Sequence, residues 1–417
     1  MRTVGLITEY NPFHNGHLYH LEESLKLSDA DISVAVMSGH FLQRGEPALT
    51  DKWSRAKMAL TAGVDIVIEL PLPWACSSAP DFARGGVHAL NALGNVSTIC
   101  FGSESGNLEP LQNYADLLFN ESELVAKKTA QLLRRGLNYP QARAQVIAAM
   151  FPAAEMEELS APNNILGIEY LKSLRQTQSV ILPLTIKRVG AGYHETCIGS
   201  GCIASATGIR QCLKDDDDVE ALLPEKVYRV LQETLKAGDF LSNERLFYLL
   251  LARIFSQSSE LERFWLVDNG MEKRLMSHAD QADDLEGLIS GIKSRQLTRT
   301  RVQRMLIAIL LGLETTQVKE LLASEPRYLH LLALSEKGRT FLARSRKNRT
   351  LPLIQNFSRV YPTLKRFYGA ESDAYHLAIK QLDLELRATR IYSLLLHRWA
   401  GEGRNRDFYQ PLIQPES

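Results

Sequence analysis

The sequence lacks most of the marks of a secreted, membrane-bound or metal-stapled protein. Its five cysteines, Cys76, Cys100, Cys197, Cys202 and Cys212, are sparse and odd in number, and no CxxC pair occurs. A disulfide framework and a zinc site are both disfavoured, so a reducing cytoplasm is the expected compartment. No stretch approaches the roughly 20 apolar residues of a membrane-spanning helix. The opening run MRTVGLITEYNPFHNGHL is broken by Glu9, Asn11 and His14 and has no signal-peptide cleavage pattern. Neither a P-loop nor a GxGxxG fingerprint is present, which leaves two common nucleotide folds unsupported. Internal repeats and low-complexity tracts are absent as well. Net charge is zero, 48 Lys+Arg against 48 Asp+Glu, and by itself gives no sign of a polyanion partner.

What is present is an ordinary globular composition, 45% hydrophobic and 23% charged. At 417 residues the chain exceeds one simple core, so two or three domains are expected. The charge is unevenly spread. Residues 1–290 hold 26 Lys+Arg and 37 Asp+Glu, whereas residues 291–417 hold 22 and 11. Arg295, Arg299, Arg301 and Arg304 form one basic group, Arg344, Arg346, Lys347 and Arg349 a second, and Arg398, Arg404 and Arg406 a third. Such a split suggests that one part faces a polyanion, while solvated helix faces would explain it equally. If RNA is the partner, charge reversal at Arg344, Arg346 and Lys347 should weaken its binding.

The first hundred residues alternate strand and helix signals: TVGLIT (3–8), a helix from His14 to Leu27, ISVAVMS (32–38), a helix from Lys52 to Ala62, VDIVIEL (64–70), a helix from Phe82 to Leu93, and STICFGS (97–103). Continuous apolar strands between helices imply an α/β, Rossmann-like parallel sheet covered on both faces. Residues 108–150 read mostly as helix, Asn163 or Asn164 opens another, and VILPLTIKRV (180–189) reads as a further strand. KDDDD (214–218) makes a solvated boundary, and the pattern from about 220 onward is helical. The expected organisation is a catalytic domain over 1–215 and a helical, basic region over 216–417.

Ligands of such sheets bind at the carboxyl ends of strands. The turn after the first strand, TEYNPFHNGH, lies at one, and His14-Asn15-Gly16-His17 opens the helix that follows. Helix-start N–H groups favour phosphate, and two imidazoles three residues apart share one helical face. They can donate to phosphate oxygens as charge moves onto a leaving pyrophosphate. Gly16 removes a side chain where a ligand could approach closely. Two histidines merely capping a helix are the plain alternative.

Strand, turn, HxGH and helix at the N-terminus resemble the nucleotidyltransferase superfamily, whose second signature resembles ISSTxIR at a late helix start. IASATGIR (203–210) matches it with Ser205, Thr207 and Arg210. The runs VGLITEYNPFHNGHLYH, VAVMSGHFLQRGEPAL, VDIVIELP, CFGSE, PNNILGIEYLKSL, IKRVGAGYH and IASATGIR together resemble the tRNA(Met) cytidine acetate ligase family, densely over the first 215 residues and loosely beyond. The resemblance implies ATP-dependent formation of N4-acetylcytidine at the wobble position of elongator tRNA(Met), using acetate. The expected route is an acetyl-adenylate, with Mg²⁺ on the phosphates as is usual for such transfers. The resemblance also implies His14, His17 and Arg210 as catalytic residues. ATP contacts are implied across Ile7, Thr8, Glu9, Tyr10, Asn11, Pro12, Phe13, His14, Asn15, Gly16, His17, Leu18, Tyr19 and His20, and at Gly102, Asn163, Arg188, Ser205 and Thr207. From the residues alone, Asn163 fits a helix N-cap at least as well, and Arg188 a surface ion pair. His40 and Arg44 are open between substrate contact and loop packing. Two other functions remain: an adenylyltransferase that makes a dinucleotide, for which the basic appendage is superfluous, and a non-enzymatic RNA-binding protein, against which the intact motifs speak.

Overall fold

The computed structural model describes residues 1–120, 122–137, 139–149, 161–188, 196–198, 201–268 and 270–415. Seven strands form one sheet, in the order β5 (Leu182–Lys187), β4 (Thr98–Ser103), β1 (Thr3–Thr8), β2 (Ile32–Ser38), β3 (Ile66–Leu70), β8 (Leu329–Leu334) and β9 (Leu353–Ile354). Strands β1 to β5 run parallel, as the alternating pattern implies. The central strands are buried on both faces, and their side chains divide by parity. Ile32, Val34 and Val36 of β2 enter one core while Ala35 and Met37 enter the other. Helices α1 (Asn15–Ser28) and α2 (Lys52–Thr61) cover one face, and α3 (Ala79–Leu93) and α4 (Pro162–Gln176) the other. Asp51 caps α2 by accepting the Ser54 N–H.

A short hairpin, β6 (Thr196–Ile198) with β7 (Gly201–Ile203), precedes α5 (Ala206–Lys214). Of the glycine-rich stretch 190–201, residues 190–195 and 199–200 lie outside the described residues. Beyond it the chain is mostly helical, with α6 (Asn243–Ser256), α7 (Arg299–Leu311), α8 (Glu336–Ser345) and the long α9 (Asp373–Leu395) among its helices.

One departure from the helical reading has a clear cause. β8 (Leu329–Leu334) pairs antiparallel with β3, and β9 (Leu353–Ile354) pairs parallel with β8. LHLLAL is buried along its whole length and shows no alternation, so periodicity cannot separate it from a buried helix turn. The edge of β3 takes it up because the sheet needs a partner there. The chain beyond residue 215 thus completes the sheet as well as flanking it. Among the described residues no helix is long and apolar enough to cross a membrane.

Candidate active site

The turn after β1 holds two imidazoles in a fixed protonation state. His14 is the N-cap of α1, and its Nδ1 accepts the Gly16 N–H at 3.0 Å. The His14 N–H in turn donates to Nδ1 of His17 at 3.3 Å, so the two residues form a capping box. A neutral imidazole whose Nδ1 accepts must carry its proton on Nε2. Both rings are therefore Nε2–H donors. Burial, with Arg188 and Arg210 nearby, pushes the His14 imidazole down to about 3. Burial also drives His17 well below its ordinary value, with His14, His20 and Arg188 adding to it. The ring centroids lie 3.8 Å apart at 35°, a contact two imidazolium cations would resist.

Most of Ile7–His20 is scaffold around this pair. Tyr10 and Phe13 are buried and their rings cup His17 at 5.0 and 5.6 Å. Asn11, joined to Pro12 by a cis bond, accepts the Leu49 N–H at 2.7 Å. Asn15 donates to the Ala221 carbonyl at 2.9 Å, Ile7 lies under Gly86, and Leu18 joins the second core. Thr8 is buried, Tyr19 half-buried, and Glu9 takes the Gln43 N–H at 2.8 Å. His20, one turn after His17, is held down to about 4 by burial and by Arg188. Gly16 has a reason the sequence does not show: a Cβ there would stand 2.8 Å from Cε1 of His14, so the glycine makes room for the imidazole that caps its own helix.

The second motif closes on the first. Ser205 caps α5 through the Gly208 N–H, and it and Thr207 are exposed at the helix start. Arg210 donates to the Asn11 carbonyl at 2.9 Å and to Glu46 at 3.1 Å, which fixes its guanidinium beside the HNGH turn. Two residues outside the motifs hold this corner. Glu46, within the SGHFLQRGEP run, is the anion that orients Arg210. Arg55 is fully buried and donates to the backbone carbonyls of Glu9, Ser38, Gly39 and Thr50, which joins the ends of β1 and β2. Gly45 has φ +82°, and a Cβ would meet the Arg304 nitrogen at 2.2 Å, so α7 backs this loop directly.

Facing it across the sheet, Gly102 passes under Arg188, whose Cγ stands 2.9 Å from where a Cβ would be. Asn163 is not an N-cap. It sits in the first turn of α4, donates to Glu104 at 2.7 Å and accepts from Arg188 at 3.2 Å. Glu104 accepts the N–H groups of Asn163 and Asn164 and thereby caps α4 from another strand. It is the last residue of the CFGSE run, the one sequence signal for it. Arg44 is exposed and close enough to Glu9 and Arg188 to influence both. His40 is buried and stacks on Tyr392 at 4.4 Å, so it packs the loop.

The basic groups serve different ends. Arg299 pairs with Glu286, Arg301 with Asp268, and Arg304 donates to the Gln43 carbonyl. Arg344, Arg346 and Lys347 are exposed, with no carboxylate partner among the described residues. They lie near Asn348, which bonds Asn95 in the turn leading into the amino end of β4, the sheet edge opposite the HNGH turn. Beside Thr207 and Arg210 opens a cleft of about 1250 Å³ whose wall carries Asp216, Asp217, Asp218, Asp283, Asp284 and Glu286.

The profile of the HIGH Nucleotidyl Transferase family matches residues 1–407. The chain is 52% identical over 411 residues to the protein named tRNA(Met) cytidine acetate ligase of Syntrophotalea carbinolica, covering 98% of each chain. It is 40% identical to the protein of the same name from Acetivibrio thermocellus, covering 99% of this chain and all of that one. Thermotoga maritima TmcAL bound with alpha-thio ATP superposes with a TM-score of 0.90 at 33% identity over 99% of both chains. Its apo form gives 0.91 at the same identity over the whole of both. Sequence, fold and the joined HNGH and IASATGIR motifs agree: this chain belongs to the tRNA(Met) cytidine acetate ligase family, within the HIGH nucleotidyl transferases.

Proposed function

We propose that this chain is an ATP-dependent acetate ligase that forms N4-acetylcytidine at the wobble position of elongator tRNA(Met). The observation that carries the reading is the His14–His17 pair, neutral and with both Nε2–H groups unspent by the capping box, beside an Arg210 fixed by Asn11 and Glu46. In the first step a carboxylate oxygen of acetate attacks the α-phosphorus of ATP, the bond to the bridging oxygen breaks, and pyrophosphate leaves. Donors set in place beforehand stabilise the charge growing on that leaving group without reorganisation. Ser205, Thr207 and the start of α5 offer further donors to phosphate, with Arg188 and Arg44 opposite.

Among the described residues no group of three or more His, Cys, Asp and Glu could hold a metal. Mg²⁺ would come to this site with its nucleotide and would supply further charge stabilisation beside His14, His17 and Arg210. In the second step the N4 amine of cytidine attacks the acetyl carbonyl carbon, the bond from that carbon to the phosphate oxygen breaks, and AMP leaves as the amine loses a proton. A cytidine splayed from its loop can reach the site. The region beyond residue 215 holds the RNA in this reading, while residues 1–215 carry the nucleotide chemistry.

The test is direct. Purified protein with ATP, Mg²⁺, labelled acetate and bulk tRNA should place label on cytidine in one tRNA species. A dinucleotide product, or no acetate-dependent pyrophosphate, overturns the reading.

A further inference from the structure

A surface beyond the nucleotide corner combines an exposed aromatic ring with two guanidinium groups, neither paired to a carboxylate among the described residues. Trp399 follows the end of α9 and is 64% exposed, against 4% and 0% for the buried Trp53 and Trp74. The guanidinium carbons of Arg245 and Arg404 stand 5.5 and 5.6 Å from its ring centroid. Arg404 is exposed and has no carboxylate partner among the described residues, and Arg245 is steadied by the Leu396 carbonyl. Tyr248, 58% exposed, lies one turn along α6 from Arg245. A large exposed aromatic between two arginines is poorly explained as packing.

This surface is tied to the site loop by backbone. The Leu241 N–H donates to the Leu49 carbonyl at 2.8 Å, in the loop that also carries Arg44 and Glu46. On the other side of the same segment, the His397 N–H donates to the Phe240 carbonyl at 2.9 Å and the Arg398 N–H to the Gly238 carbonyl at 2.8 Å. Three chain segments thus lie side by side between the loop that orients Arg210 and Trp399, two interstrand steps or about 10 Å. The neighbouring cleft, which Tyr248 also lines, mixes carboxylates with Lys214, Lys236 and Arg299, whereas the two guanidinium groups at Trp399 face no carboxylate among the described residues, which makes the Trp399 side the approach suited to a polyanion.

We infer that Trp399, flanked by Arg245 and Arg404, is a positioning residue on which a base beside the reacting cytidine stacks while the arginines meet the flanking phosphates. Every base has a π-face, so such a platform accepts any neighbour and sets the distance between it and the reacting base. The inference rests on the RNA substrate proposed above.

The experiment uses the full chain and a synthetic anticodon stem-loop of elongator tRNA(Met). Acetate-dependent pyrophosphate release without RNA is measured beside acetyl transfer to the stem-loop. Trp399→Ala should leave the first unchanged and lower kcat/KM for the stem-loop by roughly ten- to a hundredfold, while Trp399→Phe retains most of it. Titration with the stem-loop should quench tryptophan emission in the wild type and much less in Trp399→Phe. Equal transfer by Trp399→Ala, or no quenching in the wild type, overturns the inference. So does a dimer in sedimentation that Trp399→Ala dissolves, because the ring then belongs to an interface between copies. Failure of the functional reading shows separately, as absent pyrophosphate release in the wild type.

Discussion

Two polar clusters stand at the carboxyl ends of the same sheet and differ in what their groups have left to give. On the β1 side, His14 and His17 spend one ring nitrogen each on the capping box and keep the other. On the β3 side, Lys52 lies 2.8–2.9 Å from both oxygens of Glu69 and 2.7 Å from Asp407, and His330 reaches Glu69 at 2.5 Å. Lys52, Glu69 and Asp407 are sealed from solvent. Burial draws the Lys52 ammonium down, but Asp407 and Glu69 outweigh it and hold the group above its ordinary range. Burial likewise raises Glu69, and Lys52 with His330 outweighs that and holds it well below. The second cluster joins β3, α2, β8 and the C-terminal segment. The contrast teaches that polarity marks a reaction site only where donors remain unspent.

The largest effect expected is on chemistry at the first cluster. His17→Ala should lower acetate-dependent pyrophosphate release by about 10²–10³-fold, the loss typical of one preorganised transition-state donor. Its stability cost, about 1–3 kcal/mol, comes from the His14 N–H left without its acceptor and from the lost ring contacts, read from denaturant unfolding. Unchanged pyrophosphate release would erase the distinction between the clusters.

Lys52→Met should do the reverse and remove about 3–5 kcal/mol of stability by stranding Glu69 and Asp407 without their cation. An unfolding midpoint equal to wild type would show the second cluster to be dispensable.

Acidity separates the two sides more gently. The histidines are neutral in the folded state, His14 near 3 and His20 near 4, against an unfolded value near 6.5. Their share of stability is complete above that value and is lost as pH falls from about 6.5 toward about 3, because the unfolded chain then binds more protons. The kcat/KM for pyrophosphate release should show no inflection from these rings between pH 6 and 8. An inflection there that His17→Ala abolishes would mean a charged imidazole. The smallest effect is expected at the far edge. Reversing Arg344 and Lys347 should weaken RNA binding and lower its salt slope by about one for each phosphate no longer neutralised, leaving pyrophosphate release untouched.

The two clusters also show which parts of the molecule sequence reading reaches. Strands β1 to β5 were legible because both faces of the central ones are buried and their apolar runs are continuous. His14, His17, Ser205, Thr207 and Arg210 were legible because each motif is a local signal at a helix start. The roles of Glu46, Glu104 and Arg55 are not legible in sequence, because their partners lie 164, 59 and up to 46 residues away. β8 was not legible because leucine-rich burial has no period.

The sequence alone therefore determined the parallel sheet, the turn that carries HNGH and the helix start that carries IASATGIR, since each depends on neighbouring residues and backbone preference. Tertiary structure alone decided three other things. It brought Arg210 to the Asn11 carbonyl across 199 residues, and it set α7 against Gly45 to fix the loop that carries Glu46. It also sorted the basic residues, pairing Arg299 and Arg301 with carboxylates and leaving Arg404 against an exposed Trp399. Charge composition is a sum over residues, but whether a charge is free depends on what the fold places within about 4 Å of it.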